Sequence, residues 1–139
     1  MDEKKNIVFF SRSNEVFECL EPDLFQKWNF YLASPDLSSP YLDSIYAPSV
    51  IIVDTFSLGM DFFNTVVSYD SFSNVPSLVL DYYTEEPLIN SILSNGAAGY
   101  LLVHSFSDEL VAAINHMMEG KQYISNQLGV YKGNTYLKN

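Results

Sequence analysis

Ser49-Val50-Ile51-Ile52-Val53-Asp54-Thr55-Phe56-Ser57-Leu58-Gly59-Met60-Asp61 is the stretch that decides how this chain is read. Val50 to Val53 are all β-branched and run without a polar break to an acid, after which polar and turn residues cut the run short. Alternation would mark a strand with one wet face. A continuous apolar run marks a strand covered on both faces, the habit of parallel sheets. Working outward, the same kind of run recurs at Ile7-Val8-Phe9-Phe10, Phe30-Tyr31-Leu32, Leu78-Val79-Leu80 and Tyr100-Leu101-Leu102-Val103.

The segments between the runs carry helical signals. From Ser107 to Gly120 a capping serine is followed by Asp108 and Glu109 in the first turn. Leu110, Val111, Ile114, Met117 and Met118 then share one face, and Gly120 supplies the stop. Thr84 opens a second helix through Glu85, Glu86, Leu88, Ile89, Ile92 and Leu93, ended by Asn95-Gly96. Met60 to Val67 reads as a third. Asn14 to Trp28 reads as helix divided by Pro22, and Ser34 to Pro48 is the weakest such segment. Strands alternating with helices imply right-handed crossovers and an open, doubly wound α/β sheet whose working site lies at the carboxyl ends of the strands.

Composition sets the outer limits. The chain has 139 residues, 47% hydrophobic and 17% charged, which fits one globular domain. Its net charge of −10, with Arg12 as the single arginine, argues against direct nucleic-acid or anionic-membrane binding. The apolar run after MDEKKN is too short for a signal core or a membrane span, so a cytoplasmic location is expected. One cysteine, Cys19, excludes an internal disulfide and reads as a small buried hydrophobe. His104 and His116 stand alone, without the spacing of metal ligands.

Asp54 followed by Gly59-Met60-Asp61 resembles the receiver domain of bacterial response regulators, in which an apolar strand ends on an Asp and Gly-Met-Asp begins five residues on. Gly96-Ala97-Ala98-Gly99-Tyr100-Leu101-Leu102 is similar to that family's fifth-strand signature, and Ser107-Asp108-Glu109-Leu110 to its last helix start. Gly120-Lys121-Gln122-Tyr123-Ile124-Ser125 resembles the receiver exit in the LuxR/NarL class, which continues into a DNA-binding output domain. The resemblance implies a flavodoxin-like fold, a five-stranded parallel sheet in the order 2-1-3-4-5, with an extra C-terminal helix as an option. Residues 1–128 would be the receiver-like domain and 129–139 a tail or the start of a linker.

The resemblance also implies a defined kit: an Asp nucleophile, an acidic pair holding Mg²⁺, a hydroxyl after the fourth strand and a Lys after the fifth. Asp54 supplies the nucleophile position. Ser11 and Arg12 (or, with a one-residue slip, Arg12 and Ser13) stand where the acids belong, Asp81 where the hydroxyl belongs, and Val103, followed by His104, where the Lys belongs. The expectation is a degenerate, phosphorylation-independent receiver with no catalytic role and no Mg²⁺ or other cofactor. Arg12 beside Asp54 and Asp81 would pair with both carboxylates and lock the pocket; the alternative is a solvent-facing Arg12 and a remnant Asp54. Tyr100 aligns with the family's switch aromatic, or else simply packs at the sheet edge.

Some LuxR-class regulators of biofilm genes bind cyclic di-GMP through a Trp-Leu-Thr-Arg-like motif at the receiver's end. The aligned positions here are Tyr123, Ile124, Ser125 and Asn126, without the Arg, which keeps Tyr123, Ser125 and Asn126 only as alternative ligand residues. Aromatic residues reach 15%, and Phe56, Phe62, Phe63, Tyr69, Phe72, Tyr82, Tyr83 and Phe106 fall near expected loops or helix faces, pointing either to a partner surface or to an overfilled core. The family habit implies homodimerisation through residues 84–119 or a C-terminal helix, with a protein partner or output domain, no nucleic acid bound by this chain and no membrane. The function expected is that of a regulatory and dimerisation module of a signalling or transcription regulator; nucleotide sensing and phosphoacceptor chemistry on Asp54 are the alternatives.

Overall fold

The computed structural model describes residues 4–33, 47–126 and 128. Among them β1 (Lys5–Phe10), β2 (Trp28–Ala33), β3 (Val50–Asp54), β4 (Ser77–Asp81), β5 (Gly99–Leu102) and β6 (Tyr123–Ile124) form one parallel sheet. The order is β2-β1-β3-β4-β5-β6, the expected order extended by one strand. The helices are α1 (Glu15–Glu18), α2 (Leu24–Lys27), α3 (Thr55–Leu58), α4 (Met60–Ser68), α5 (Glu86–Ser94) and α6 (Phe106–Met118). The expected tail at 129–139 and most of the doubtful segment 34–48 lie outside the described residues, and of the optional C-terminal helix only helical Asn126 and Leu128, the latter buried, are described.

Continuous apolar runs are explained by two-sided burial. Ile7 and Phe9 of β1, Val50 and Ile52 of β3, and Leu78 and Leu80 of β4 pack on one side with Phe106, Leu110, Ile114 and Met117 of α6. Val8 and Phe10, Ile51 and Val53, and Val79 pack on the other with Phe63 and Val66 of α4 and Ile89 and Ile92 of α5. Each large apolar side chain so removed from water contributes about 1.5–3 kcal/mol.

β6 was not expected from the sequence, and it covers the flank of β5. Its pairing, Gly99 with Tyr123 and Tyr100 with Ile124, explains Gly99. A Cβ there would lie 2.9 Å from Leu78 Cδ1 and 3.0 Å from the Tyr123 carbonyl oxygen, so only glycine admits the close approach. Gly59, at φ +89, makes the left-handed break between α3 and α4.

Four local expectations need correction. Helix α6 begins at Phe106, so Ser107 sits inside it, and Ser105 takes the cap position without a side-chain cap bond. Val103 is not in β5; the strand ends at Leu102 and Val103–Ser105 form a short 3-10 turn. The segment from Asn14 to Trp28 yields only two single turns, α1 and α2, because Pro22 interrupts it and Trp28 already belongs to β2. Cys19 is exposed rather than buried, because it follows the first of those single turns instead of lying on a packed helix.

Candidate functional site

The strand ends meet as the α/β topology requires. Asp54 closes β3 and also caps α3, its Oδ1 accepting the Ser57 amide at 3.3 Å. The Ser57 hydroxyl reaches Asp54 Oδ2 at 3.0 Å, and the Ser11 hydroxyl, just past β1, donates to the same oxygen at 2.7 Å. The Arg12 and Ser13 amides then donate to the Ser57 and Ser11 hydroxyl oxygens at 3.2 and 3.1 Å. Asp54 is 3% exposed and Ser11 5%, so this is a nearly dry cluster.

Asp81, at the end of β4, belongs to a second cluster. Its Oδ2 accepts the Thr55 hydroxyl at 2.6 Å and its Oδ1 the Tyr82 amide at 2.8 Å, with the Leu80 carbonyl 3.0 Å from the same threonine oxygen. Both acids are therefore served by hydroxyls and amides from the β3–α3 turn and its neighbours. Among the described residues no buried side-chain nitrogen or oxygen lacks a hydrogen-bond partner.

The proposed arginine lock fails. Arg12 is exposed, and among the described residues the ion pair formed is Lys121 with Glu119, not Arg12 with Asp54 or Asp81. The reason is local: Ser11, not Arg12, turns inward at the end of β1, and its short hydroxyl occupies the place beside Asp54. Val103 is half-buried against the α6-side core, and His104 is exposed.

A hard cation such as Mg²⁺ needs several oxygen ligands, carboxylates above all. The β1 end offers a serine hydroxyl and a guanidinium-bearing residue, Asp54 already accepts three hydrogen bonds, and Asp81 is engaged by Thr55. No three His, Cys, Asp or Glu come together among the described residues. These residues do not fit the family's metal.

Tyr100 is fully buried, with β6 rather than solvent beside its strand, and its hydroxyl donates to the Tyr83 carbonyl at 2.8 Å. Burial, and next the nearby Asp81 carboxylate, push its phenol above the ordinary range. The inward aromatic thus ties β5 to the loop after β4.

A third cluster was missed in the sequence. Glu109 of α6 is 8% exposed and takes the Tyr123 hydroxyl and the Asn126 amide on Oε1 at 2.8 Å each, and the Ser125 hydroxyl on Oε2 at 2.6 Å. Burial alone would raise its pKa, but these donors outweigh it and hold the carboxyl below its usual range. Burial, then Glu109, push the Tyr123 phenol upward. The Tyr123 and Ser125 hydroxyls considered for a nucleotide are thus turned inward onto Glu109, whereas Asn126 contributes its backbone amide and is itself exposed. The sequence showed Glu109 only as a helix-start acid; its partners lie 14 to 17 residues away, beyond any local spacing rule.

The eight aromatics divide. Phe63, Phe72 and Phe106 are core and Phe62 and Tyr69 pack against it, whereas Phe56, Tyr82 and Tyr83 are exposed. No helix among the described residues is long and apolar enough to cross a membrane.

No protein-family model matches the chain. Oxygen regulatory protein NreC of Staphylococcus aureus (strain JH9) is 30% identical over 70 residues, which covers 50% of this chain and 32% of NreC. The match therefore spans about a third of the length of the curated relatives it reaches. A LuxR-family two-component response regulator from Aurantimonas sp. SI85-9A1 superposes with a TM-score of 0.73 at 16% identity, covering 98% of this chain and 100% of that one. The non-phosphorylated receiver domain of the stress response regulator RcsB from Escherichia coli gives 0.69 at 14%, covering 88% and 98%. RcsB has also been solved as two dimers bound to two parallel DNAs. Sheet order and these likenesses agree: the chain has the receiver fold that these response regulators share.

Proposed function

We propose that the chain is a phosphorylation-independent regulatory module that homodimerises within a signalling or transcription regulator. One observation carries this reading: the Ser11 hydroxyl sits 2.7 Å from Asp54 where a metal-binding acid would be needed, so the phosphoacceptor position is closed by hydrogen bonds internal to the protein. A carboxylate so engaged, without a cation to neutralise the incoming phosphoryl oxygens, is a poor nucleophile toward an anionic donor. The chain then acts by binding and not by catalysis.

Incubation with acetyl phosphate and Mg²⁺ followed by intact mass measurement tests this. No added phosphoryl mass is expected; an adduct that disappears in Asp54→Ala overturns the reading. Dimerisation is supported by Leu88, 43% exposed on α5 within residues 84–119, and by the dimers that RcsB forms. Sedimentation of Leu88→Asp against the unaltered chain checks that face: a dimer that survives the substitution moves the interface elsewhere. Contact with DNA, on this reading, belongs to an output domain and not to this acidic chain.

A further inference from the structure

In a parallel sheet every strand starts at one pole and ends at the other, and the described lysines gather at one of them, where Asp70 and Glu119 also lie. Lys5 opens β1 with Lys4 before it, Lys27 immediately precedes β2, and Lys121 lies just before β6, which places the four described lysines at the amino pole. The carboxyl pole holds Asp54 and Asp81 at strand ends, Asp61 and Asp108 in first helical turns, and Glu85 and Glu86 at the start of α5. Arg12 is the cation described at this pole.

At the same pole stand three exposed aromatic rings. Phe56 is 67% exposed, Tyr82 49% and Tyr83 40%. Phe56 and Tyr82 meet edge to face with centroids 4.8 Å apart, so two elements hold one another's rings out in water. The pair has an evident backbone cause. Thr55 and Asp81, the residues just before each ring, are joined by the 2.6 Å hydrogen bond, which fixes the α3 turn against the end of β4. An ordered, exposed aromatic pair at an acidic pole carries interface chemistry that the core does not use.

We propose that Phe56, Tyr82 and Tyr83 form a docking surface for a basic, arginine-bearing segment of a partner protein. A guanidinium stacks on aromatic faces and pairs with carboxylates such as Glu85 and Glu86, which answers both features of the pole at once. Anionic membranes and nucleic acids are repelled by the same acids. A second copy presenting this face would bring an identical acidic rim against it. The surface does not depend on whether Asp54 takes a phosphoryl group, so failure here leaves the reading above standing.

The test titrates the isotope-labelled full chain with a peptide alternating arginine and leucine, following amide shifts, with a glutamate-for-arginine peptide as control. Binding that perturbs residues 54–61 and 82–88 and weakens with salt is expected, and Phe56→Ala with Tyr82→Ala should weaken it about tenfold or more. A charge-neutralising pair, Glu85→Gln with Glu86→Gln, should weaken it as well. Shifts spread over every acidic face with affinity indifferent to the aromatic pair would overturn the proposal, as would no binding at all. Self-association of the unaltered chain that the aromatic substitutions abolish would also overturn it, in favour of a second copy.

Discussion

Glu109 offers the sharpest test of how the sheet's last strand is held. In Glu109→Ala the Tyr123 hydroxyl, the Ser125 hydroxyl and the Asn126 amide lose an acceptor at 2.8, 2.6 and 2.8 Å. A hydrogen bond to a charged group is worth about 1.5–3 kcal/mol, but Asn126 is exposed and its amide regains water, so the three do not add in full. A loss of about 3–5 kcal/mol is expected, a large share of the roughly 5–15 kcal/mol that stabilises a domain. Glu109→Gln keeps an acceptor for Tyr123 and Asn126 while turning an amide donor toward Ser125, and should cost about half as much. Urea unfolding followed by Trp28 fluorescence gives both values. The pH dependence has a definite sign. The folded carboxyl is held below its ordinary value, so its contribution is complete above the unfolded pKa and is lost as pH falls through the folded one. The gap between the unaltered chain and Glu109→Gln should thus close in acid. A Glu109→Ala chain within about 1 kcal/mol of the parent at neutral pH would refute the clasp.

Three further outcomes follow from the same geometry. Ser11→Ala removes the 2.7 Å bond to Asp54 and should destabilise by about 1.5–3 kcal/mol in urea unfolding, more than Arg12→Ala, which is expected to be near neutral. Tyr100→Phe loses the bond to the Tyr83 carbonyl for about 1 kcal/mol. Because its folded phenol is raised, the neutral form carries the stability, which persists below the unfolded value near pH 10 and fades above it; ultraviolet titration should show Tyr100 and Tyr123 ionising only with unfolding. Gly99→Ala, whose Cβ would press on Leu78 and the Tyr123 carbonyl, should cost about 1–3 kcal/mol and raise hydrogen exchange at Tyr123 and Ser125.

The sheet was legible because two-sided burial writes itself as an unbroken apolar run, and β1, β3, β4 and β5 all carry one. β6 is two residues long and owes its place to pairing with β5, so Tyr123-Ile124 bore no periodic signal. The acids of the pocket were legible too, since strand ends follow from strands. What the sequence did not reveal was which neighbour each acid takes. Between Ser11 and Arg12, adjacent in sequence, a lone pattern favours the charge, but the backbone turn at the end of β1 decides, and it sends the shorter hydroxyl inward. The exposed aromatics were read together with five that pack inside, because spacing alone does not separate the outward Phe56 of the α3 turn from the inward rings of α4.

The physics of the pocket changes with that one choice. Carboxylates gathered at a strand end repel one another and need a cation to coexist, which makes an ordinary receiver pocket sensitive to metal and to the phosphoryl group that binds with it. Here each acid meets neutral donors: Asp54 has Ser11 and Ser57, and Asp81 has Thr55 and the Tyr82 amide. On the proposed reading these neutral donors do the work that a cation does in an ordinary receiver. The Thr55–Asp81 bond, apart from those on Asp54, couples the two loops that carry Phe56 and Tyr82 and so presents the aromatic pair outside the pocket. Breaking that bond with Thr55→Val, which keeps the shape and removes the donor, should loosen the ring pair and weaken capture of a basic segment without touching either ring.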